Sequence, residues 1–326
     1  MMSKVLITGG AGFLGKRLAK KLLERGVLKG ASGQPEKIEQ IILLDMVAPT
    51  DLDDPRIKVV TGDIADAALL SQVIDTSVTS IFHLAAVVSG AAEADFDLGM
   101  RINLDATREL LELCRRLGHK PRFIFTSSVA VFGGALPAIV QDDTAPTPMS
   151  SYGAQKVCGE LLVSDASRKG FVDGRTLRMP TISVRPGKPN AAASSFASGI
   201  VREPLNGESA VAPVAPETKM WLMSPRYAIE NLIHGHELDG DAIGFPRTIS
   251  LPGLSVSVKG MVDALREVAG DSVADLVKWE PNEAVKKIVE SWPGAFAATR
   301  AKSLGFVADE RYADVIRAYQ EDDMPR

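Results

Sequence analysis

The chain has 326 residues, 45% of them hydrophobic and 24% charged, which suffices for one large or two medium domains with a sizeable core. Lys and Arg number 37 against 41 Asp and Glu, a net charge of −4, and no basic tract follows a nucleic-acid backbone, so nucleic acid is not an expected partner. No apolar stretch approaches the ~20 residues that cross a bilayer, and Met1 to Lys4 lead directly into an apolar run, so no membrane partner and a cytoplasmic place are expected.

Residues 5–7 are a short apolar run suited to a buried parallel strand. They enter the turn Thr8-Gly9-Gly10-Ala11-Gly12-Phe13-Leu14-Gly15, and Leu14, Leu18, Leu22 and Leu23 then recur on one helical face. The turn satisfies G-x-x-G-x-x-G from Gly9 and G-x-G-x-x-G from Gly10. At a strand-to-helix junction, glycines permit a tight turn, a close backbone approach to pyrophosphate and close packing of helix on sheet. The helix N-terminus then faces the phosphate charge. This context predicts a bound dinucleotide held by Gly9, Gly12, Phe13, Leu14 and Gly15.

Residues 27–40 read as a Gly/Pro/Ser-containing insertion, and 41–44 as a second strand ending in Asp45. A carboxylate there accepts hydrogen bonds from both adenosine ribose hydroxyls and repels a 2′-phosphate, which favours NAD over NADP. Further strands are predicted at 57–60, 80–84, 122–126 and 175–179, with helices near 65–75, 103–117 and 151–169. This alternation indicates an α/β fold with a doubly wound parallel sheet of Rossmann type. Asp63 and Ile64, just after the third strand, suit the edge and face of the adenine.

From Pro180 the pattern changes to proline, small residues and shorter elements, with helical segments near 225–238, 258–268 and 282–289. The expected division is an NAD-binding domain at 1–179, with about 225–250 packing back on it, and a smaller substrate-binding portion at 180–224 and 251–326. Cys114 and Cys158 fall in helical patterns without partners at metal spacing and read as packing residues. His234 and His236 point to different helix faces, and no metal site is expected.

Tyr152 and Lys156 stand at i and i+4, on one helical face. A phenol with a reference pKa near ~10 is a poor base at neutral pH, and a neighbouring ammonium favours its phenolate. Ser127 and Ser128 follow the strand Phe123-Ile124-Phe125-Thr126, at the sheet end where open α/β sheets bind ligands. A serine hydroxyl there can bond a substrate oxygen while the tyrosine takes its proton.

These residues, with His83-Leu84-Ala85-Ala86 and Asn103, resemble in order those of the extended short-chain dehydrogenases/reductases, the NAD-dependent epimerase/dehydratase family. The resemblance implies NAD as cofactor, Tyr152 as general base, Lys156 holding the nicotinamide ribose and Ser128 orienting the reacting hydroxyl. It implies that Pro180 and Thr181 touch the nicotinamide end, and it adds Leu84, Ala85, Ala86, Asn103 and Ser127 to the cofactor site. Read by themselves, His83 and Asn103 are short polar groups bridging backbone elements.

The departures from the family narrow the substrate. Sugar-nucleotide dehydratases carry an acidic pair after the serines, where this chain has Val129-Ala130. Epimerases grip a diphosphate with cationic segments, where this chain has Lys219-Met220-Trp221 and Glu290-Ser291-Trp292-Pro293. The stretches 142–148, 185–196 and 202–205 resemble a subgroup of dehydrogenases acting on four-carbon sugar acids, which implies oxidation of D-erythronate at C2. Arg185, Lys188, Ser194 and Ser195 are candidates for holding such an acid, beside Ser128 and Tyr152. A homodimer through helices 103–117 and 151–169 is implied by the same family. A nucleotide-sugar epimerase or dehydrogenase and a non-catalytic NAD-sensing regulator remain open alternatives.

Overall fold

The computed structural model describes residues 2–30, 33–187 and 192–324. Strand β1 (Met2–Thr8) is followed by α1 (Phe13–Arg25), β2 (Val27–Lys29), β3 (Pro35–Asp45), β4 (Ile57–Thr61), α2 (Ala67–Val73) and β5 (Val78–His83). Short helices α3 (Ser89–Ala94) and α4 (Phe96–Gly99) and a π-helical turn at Met100–Asp105 lead into α5 (Ala106–Leu117). Strand β6 (Arg122–Ser128), α6 (Ser151–Arg168) and β7 (Asp173–Met179) complete the repeating units, and α7 (Phe196–Leu205) and α8 (Pro225–Glu237) follow.

In space the parallel strands run β4, β3, β1, β5, β6, β7, and Thr248–Ser250 adds a further parallel strand beside β7. The chain leaves β1 toward β3 and β4, then returns to the other side of β1 at β5. That reversal opens a crevice at the carboxyl ends of β1 and β5, where a doubly wound sheet binds its ligand.

Period-two alternation assigns the strand faces. Val5 and Ile7 pack with Leu18 and Leu22 of α1 and Leu232 and Ile233 of α8, while Leu6 packs with Leu70 of α2, Leu110 of α5 and Val163 of α6. The central strands are therefore buried on both faces, which is why they read as continuous apolar runs.

The sequence places a loop-like insertion at 27–40 and starts the second strand at residue 41. Instead, Val27–Lys29 pairs antiparallel with residues 35–37, and β3 begins at Pro35. The excess between the glycines and Asp45 is thus a β-hairpin on the sheet edge. Its apolar residues Leu28 and Ile38 are buried, and the polar residues between them hide a period-two pattern too short to stand out.

A second hydrophobic cluster joins α7, the helix Val258–Ala269 and the C-terminal helix Tyr312–Asp322 through Ile200, Val201, Met261, Leu265, Val315 and Ile316. It includes Met220 and Leu222 of the strand Lys219–Met223, which lies between Thr181–Ile182 and Leu254–Ser257. Cys114 is buried, but Cys158 is exposed and is not the packing residue that its helical pattern suggests. Among the described residues no helix is long and apolar enough to cross a membrane.

Candidate active site

The glycine turn and α1 are locked together by contact. A Cβ on Gly15 would stand 2.2 Å from the Gly9 carbonyl oxygen and 2.9 Å from the Gly10 Cα, so only glycine lets the first helical turn lie against the loop. Gly9 itself has φ +70°, and a Cβ there would meet the Ala85 backbone nitrogen at 2.9 Å. Gly12 starts α1 without any side-chain cap, leaving the first N–H groups of the helix for a ligand.

On one side of this turn lies a cavity of about 390 Å³, bordered by Gly9, Gly12, Asp45, Asp63, Ile64, Leu84, Ala85, Ala86 and Arg101. The Asp45 carboxylate accepts the Ala11 N–H at 2.9 Å, bracing the glycine loop from the end of β3. Asp63 accepts the Ala65 N–H at 2.8 Å and pairs with Arg101. Burial opposes ionisation of Asp63, but these two partners outweigh it and hold the carboxyl below its ordinary value.

On the other side lies a cavity of about 310 Å³ that shares Gly9, Gly12, Leu84 and Ala86 with the first. Its lining includes Phe13, Leu14, Gly15, Ser127, Ser128, Tyr152, Lys156, Pro180, Thr181, Arg185 and Ser194. Two chambers joined across an uncapped helix N-terminus fit the two halves of NAD, with the carboxylate of Asp45 at the ribose end. A larger concavity of about 1010 Å³ adjoins the turn at Ala11 and Phe13, among charged side chains of α1, α8 and the C-terminal helix.

Helix α6 brings the candidate reacting groups Tyr152 and Lys156 to Ser128. Ser150 caps it by accepting the Gly153 N–H at 3.1 Å. A Cβ on Gly153 would stand 2.2 Å from the Ala130 carbonyl oxygen, so glycine lets the first turn of α6 press against the segment after Ser128. The Ser128 hydroxyl accepts the Ala130 N–H at 3.1 Å and hydrogen-bonds the Tyr152 phenol. Lys156 is buried, donates to the Thr126 carbonyl at 2.9 Å and lies 4.8 Å from the Phe125 ring centroid.

The electrostatics differ from the simple tyrosine–lysine picture. Burial pushes the Tyr152 phenol up to about 12, against the Ser128 hydrogen bond and the positive charge of Arg185, which both favour phenolate. Burial likewise pushes Lys156 down to about 8, with Glu160 opposing. The lysine reaches past the tyrosine to Thr126, so Arg185 and Ser128 are the groups that ease phenol ionisation in the free protein.

Arg185 donates to the Ser194 hydroxyl at 3.2 Å, its carbonyl accepts from Arg202 at 2.8 Å, and no described carboxylate pairs with it. Burial and nearby Arg202 pull the guanidinium down to about 10, still charged at neutral pH. Ser195 sits at the start of α7 and outside the cavity lining, and Lys188 lies outside the described residues.

Asn103 stands behind the lining rather than in it. Its side chain clamps Val87 by accepting that N–H at 2.8 Å and donating to that carbonyl at 3.0 Å. His83 bridges Thr8 and Thr107 at 2.7 and 2.9 Å, and burial pushes it down to about 3, so it stays neutral between the strands. The cavity lining also contains Ser89 and Trp292, and the adenosine-side chamber contains Arg101. No local spacing marks these three, because they arrive from a loop-borne helix, a distant C-terminal segment and a π-helical turn.

A family model described as the NAD dependent epimerase/dehydratase family matches residues 5–221. The chain is 64% identical to D-erythronate dehydrogenase of Cupriavidus necator, over 98% of each chain. It is 47% identical to D-erythronate dehydrogenase of Haemophilus influenzae, over 98% of this chain and all of that one. A crystal structure described as the nucleoside-diphosphate-sugar epimerase of Agrobacterium tumefaciens superposes with a TM-score of 0.92 at 42% identity, covering 99% of this chain and 95% of that one.

A family match over residues 5–221 and 64% identity over 98% of each chain establish the family: the chain belongs to the NAD dependent epimerase/dehydratase family. Within it, the protein is an NAD-dependent oxidoreductase.

Proposed function

We propose that the protein oxidises the C2 hydroxyl of D-erythronate to the 2-keto acid. The carrying observation is the charge of the catalytic cavity: Lys156 and Arg185 are its only charged side chains among the described lining residues, and no carboxylate is present. Such a chamber suits a small anion with hydroxyls, and it lacks the acid and base that an elimination needs. The activity named for the 64% and 47% identical relatives supports the same substrate.

In this reading Arg185 and Ser194 hold the substrate carboxylate, and Ser128 donates to the C2 oxygen. Tyr152 as phenolate takes the C2 hydroxyl proton. Gly9, Gly12 and Asp45 would hold NAD, which would supply the acceptor for the C2 hydride. Lys156 holds the nicotinamide ribose and keeps a positive charge beside the phenolate. Residues 1–179 with 225–250 serve as the cofactor half, and the remainder closes the substrate side. Use of free NAD suits a cytoplasmic enzyme, and α5 with the exposed face of α6, including Leu161, forms the homodimer contact.

The test is NADH formation from NAD or NADP with a panel of four- to six-carbon aldonic acids. The expected result is NAD-dependent turnover of D-erythronate, loss of kcat in Tyr152→Phe, and retained NADH binding in that variant. A silent panel together with stabilisation by a nucleotide sugar would replace this reading with the activity described for the Agrobacterium structure. The geometry gives that outcome little support: Lys219 is exposed at the start of its strand, and residues 290–293 bring Trp292 rather than a cation to the cavity.

A further inference from the structure

Tyr152, Lys156 and Glu160 follow one another at intervals of four along α6, so they lie on one face about 6 Å apart per step. Glu160 is 3% exposed and belongs to neither cavity lining. Its Oε1 accepts the Ser127 hydroxyl at 2.5 Å and Arg178 Nε at 2.9 Å, while Oε2 accepts the second Arg178 nitrogen at 2.7 Å. Ser127 and Arg178 are themselves register partners across β6 and β7. One carboxylate therefore ties α6 to the ends of both strands, directly behind Ser128.

We propose that Glu160 is a positioning residue for the catalytic groups: its carboxylate fixes the end of β6 through Ser127 and places a negative charge one helical turn behind the Lys156 ammonium. This rests on the reading of Ser128, Tyr152 and Lys156 as the reacting set. A forked Arg–carboxylate pair is geometrically rigid, so the hydroxyl of Ser127 is held in one rotamer and the backbone leading to Ser128 is held with it. The electrostatic half follows from burial. The groups facing Lys156 are Glu160 and Tyr152 on its own helix, His83 on β5, and the Phe125 ring and Thr126 carbonyl on β6. Glu160 is the only anion among them, and it resists the burial that draws Lys156 down to about 8. Facing Glu160 from β7 is Arg178, which stacks over the Phe132 ring at 4.8 Å and would become an uncompensated cation without it.

Glu160→Gln removes the anion and exposes Lys156 to Arg178, and both changes act in one direction. The expected result is that the alkaline limb of the kcat profile, where Lys156 loses its proton, moves about one pH unit toward acid, with kcat severalfold lower near pH 8. Carbon NMR of Lys156 Cε in the NAD-free protein should show the same acid displacement. Glu160→Asp keeps the charge and should leave both titrations in place while kcat falls. Ser127→Ala, which leaves the ion pair whole, should lower kcat severalfold with no displacement of the profile, and it carries the test if Glu160→Gln does not fold. An undisplaced Lys156 titration in Glu160→Gln, or full kcat in Ser127→Ala, would overturn the proposal. Normal turnover of Tyr152→Phe would instead remove the catalytic reading beneath it, leaving the Lys156 titration as an independent measure of Glu160.

Discussion

In the proposed reaction Arg185 connects recognition to chemistry in a single side chain. Its charge faces Tyr152 and favours the phenolate, and its guanidinium lacks a carboxylate partner among the described residues. Arg185→Gln should therefore do two separable things. KM for the sugar acid should rise by about ten- to a hundredfold, the size of a lost charge-assisted hydrogen bond. The kcat profile should also move toward alkaline pH, because removing a nearby cation raises the phenol and more alkali is needed to ionise it. Steady-state kinetics across pH checks both, and an unchanged KM would show that the carboxylate binds elsewhere. The residue could be named from the sequence as a cation near the expected substrate region, but its link to Tyr152 could not. Tyr152 and Lys156 are legible because helical spacing alone puts them on one face, and Ser128 because it ends an apolar strand. Trp292 and Ser89 are not, since their place in the cavity depends on how distant elements meet.

At the scale of elements, the sheet is anchored at the end opposite the glycine turn by a cluster built on Asp173, the first residue of β7. Arg175, which is fully buried, pairs with it at 2.9 Å, while Arg122 and Arg247 approach to 3.7 and 3.6 Å. The same arginines cap the end of α8: Arg122 donates to the His236 carbonyl at 2.7 Å and Arg175 to the Leu238 carbonyl at 2.8 Å. Three cations thus gather around one carboxylate, and two of them, Arg122 and Arg175, also satisfy carbonyls at a helix C-terminus. Asp173→Asn leaves the buried Arg175 without its ion-pair partner, and removing one partner from a buried ion pair costs about 3–5 kcal/mol. Denaturant unfolding should register a loss of that order, with kcat of the folded fraction unchanged because the cluster is remote from Tyr152. A loss below about 1 kcal/mol would mean that the helix carbonyls alone satisfy the arginines. The helix α8 and strand β7 are individually readable from periodicity, whereas this joint is invisible in sequence because its charges are scattered from residue 122 to residue 247.

Across the whole molecule the two hydrophobic clusters are joined by an ionic strap. The C-terminal helix Tyr312–Asp322 packs into the second cluster through Tyr312, Val315, Ile316 and Tyr319, yet its acidic end reaches the helices of the first. Arg226 of α8 meets Glu321 at 2.7 Å and Asp322 at 2.7 Å, and Arg17 of α1 meets Asp322 at 3.4 Å and also pairs with Asp323. These residues border the concavity of about 1010 Å³, together with Pro186 and Gly187 just beyond Arg185. Single exposed pairs contribute about 0–1 kcal/mol, but here two arginines share neighbouring carboxylates, and the partners are held by separate cores. The strap should therefore act as a salt-sensitive brace between the second cluster and α1, whose N-terminus follows the glycine turn. Raising salt from about 0.01 M to about 1 M shortens the screening length from about 30 Å to about 3 Å. Wild type should lose more thermal stability over that interval than Arg17→Ala/Arg226→Ala, and the two should converge at high salt. If the double variant instead stays below wild type by a constant amount at every salt concentration, the arginines act through the packing of their stems, and the brace is not ionic.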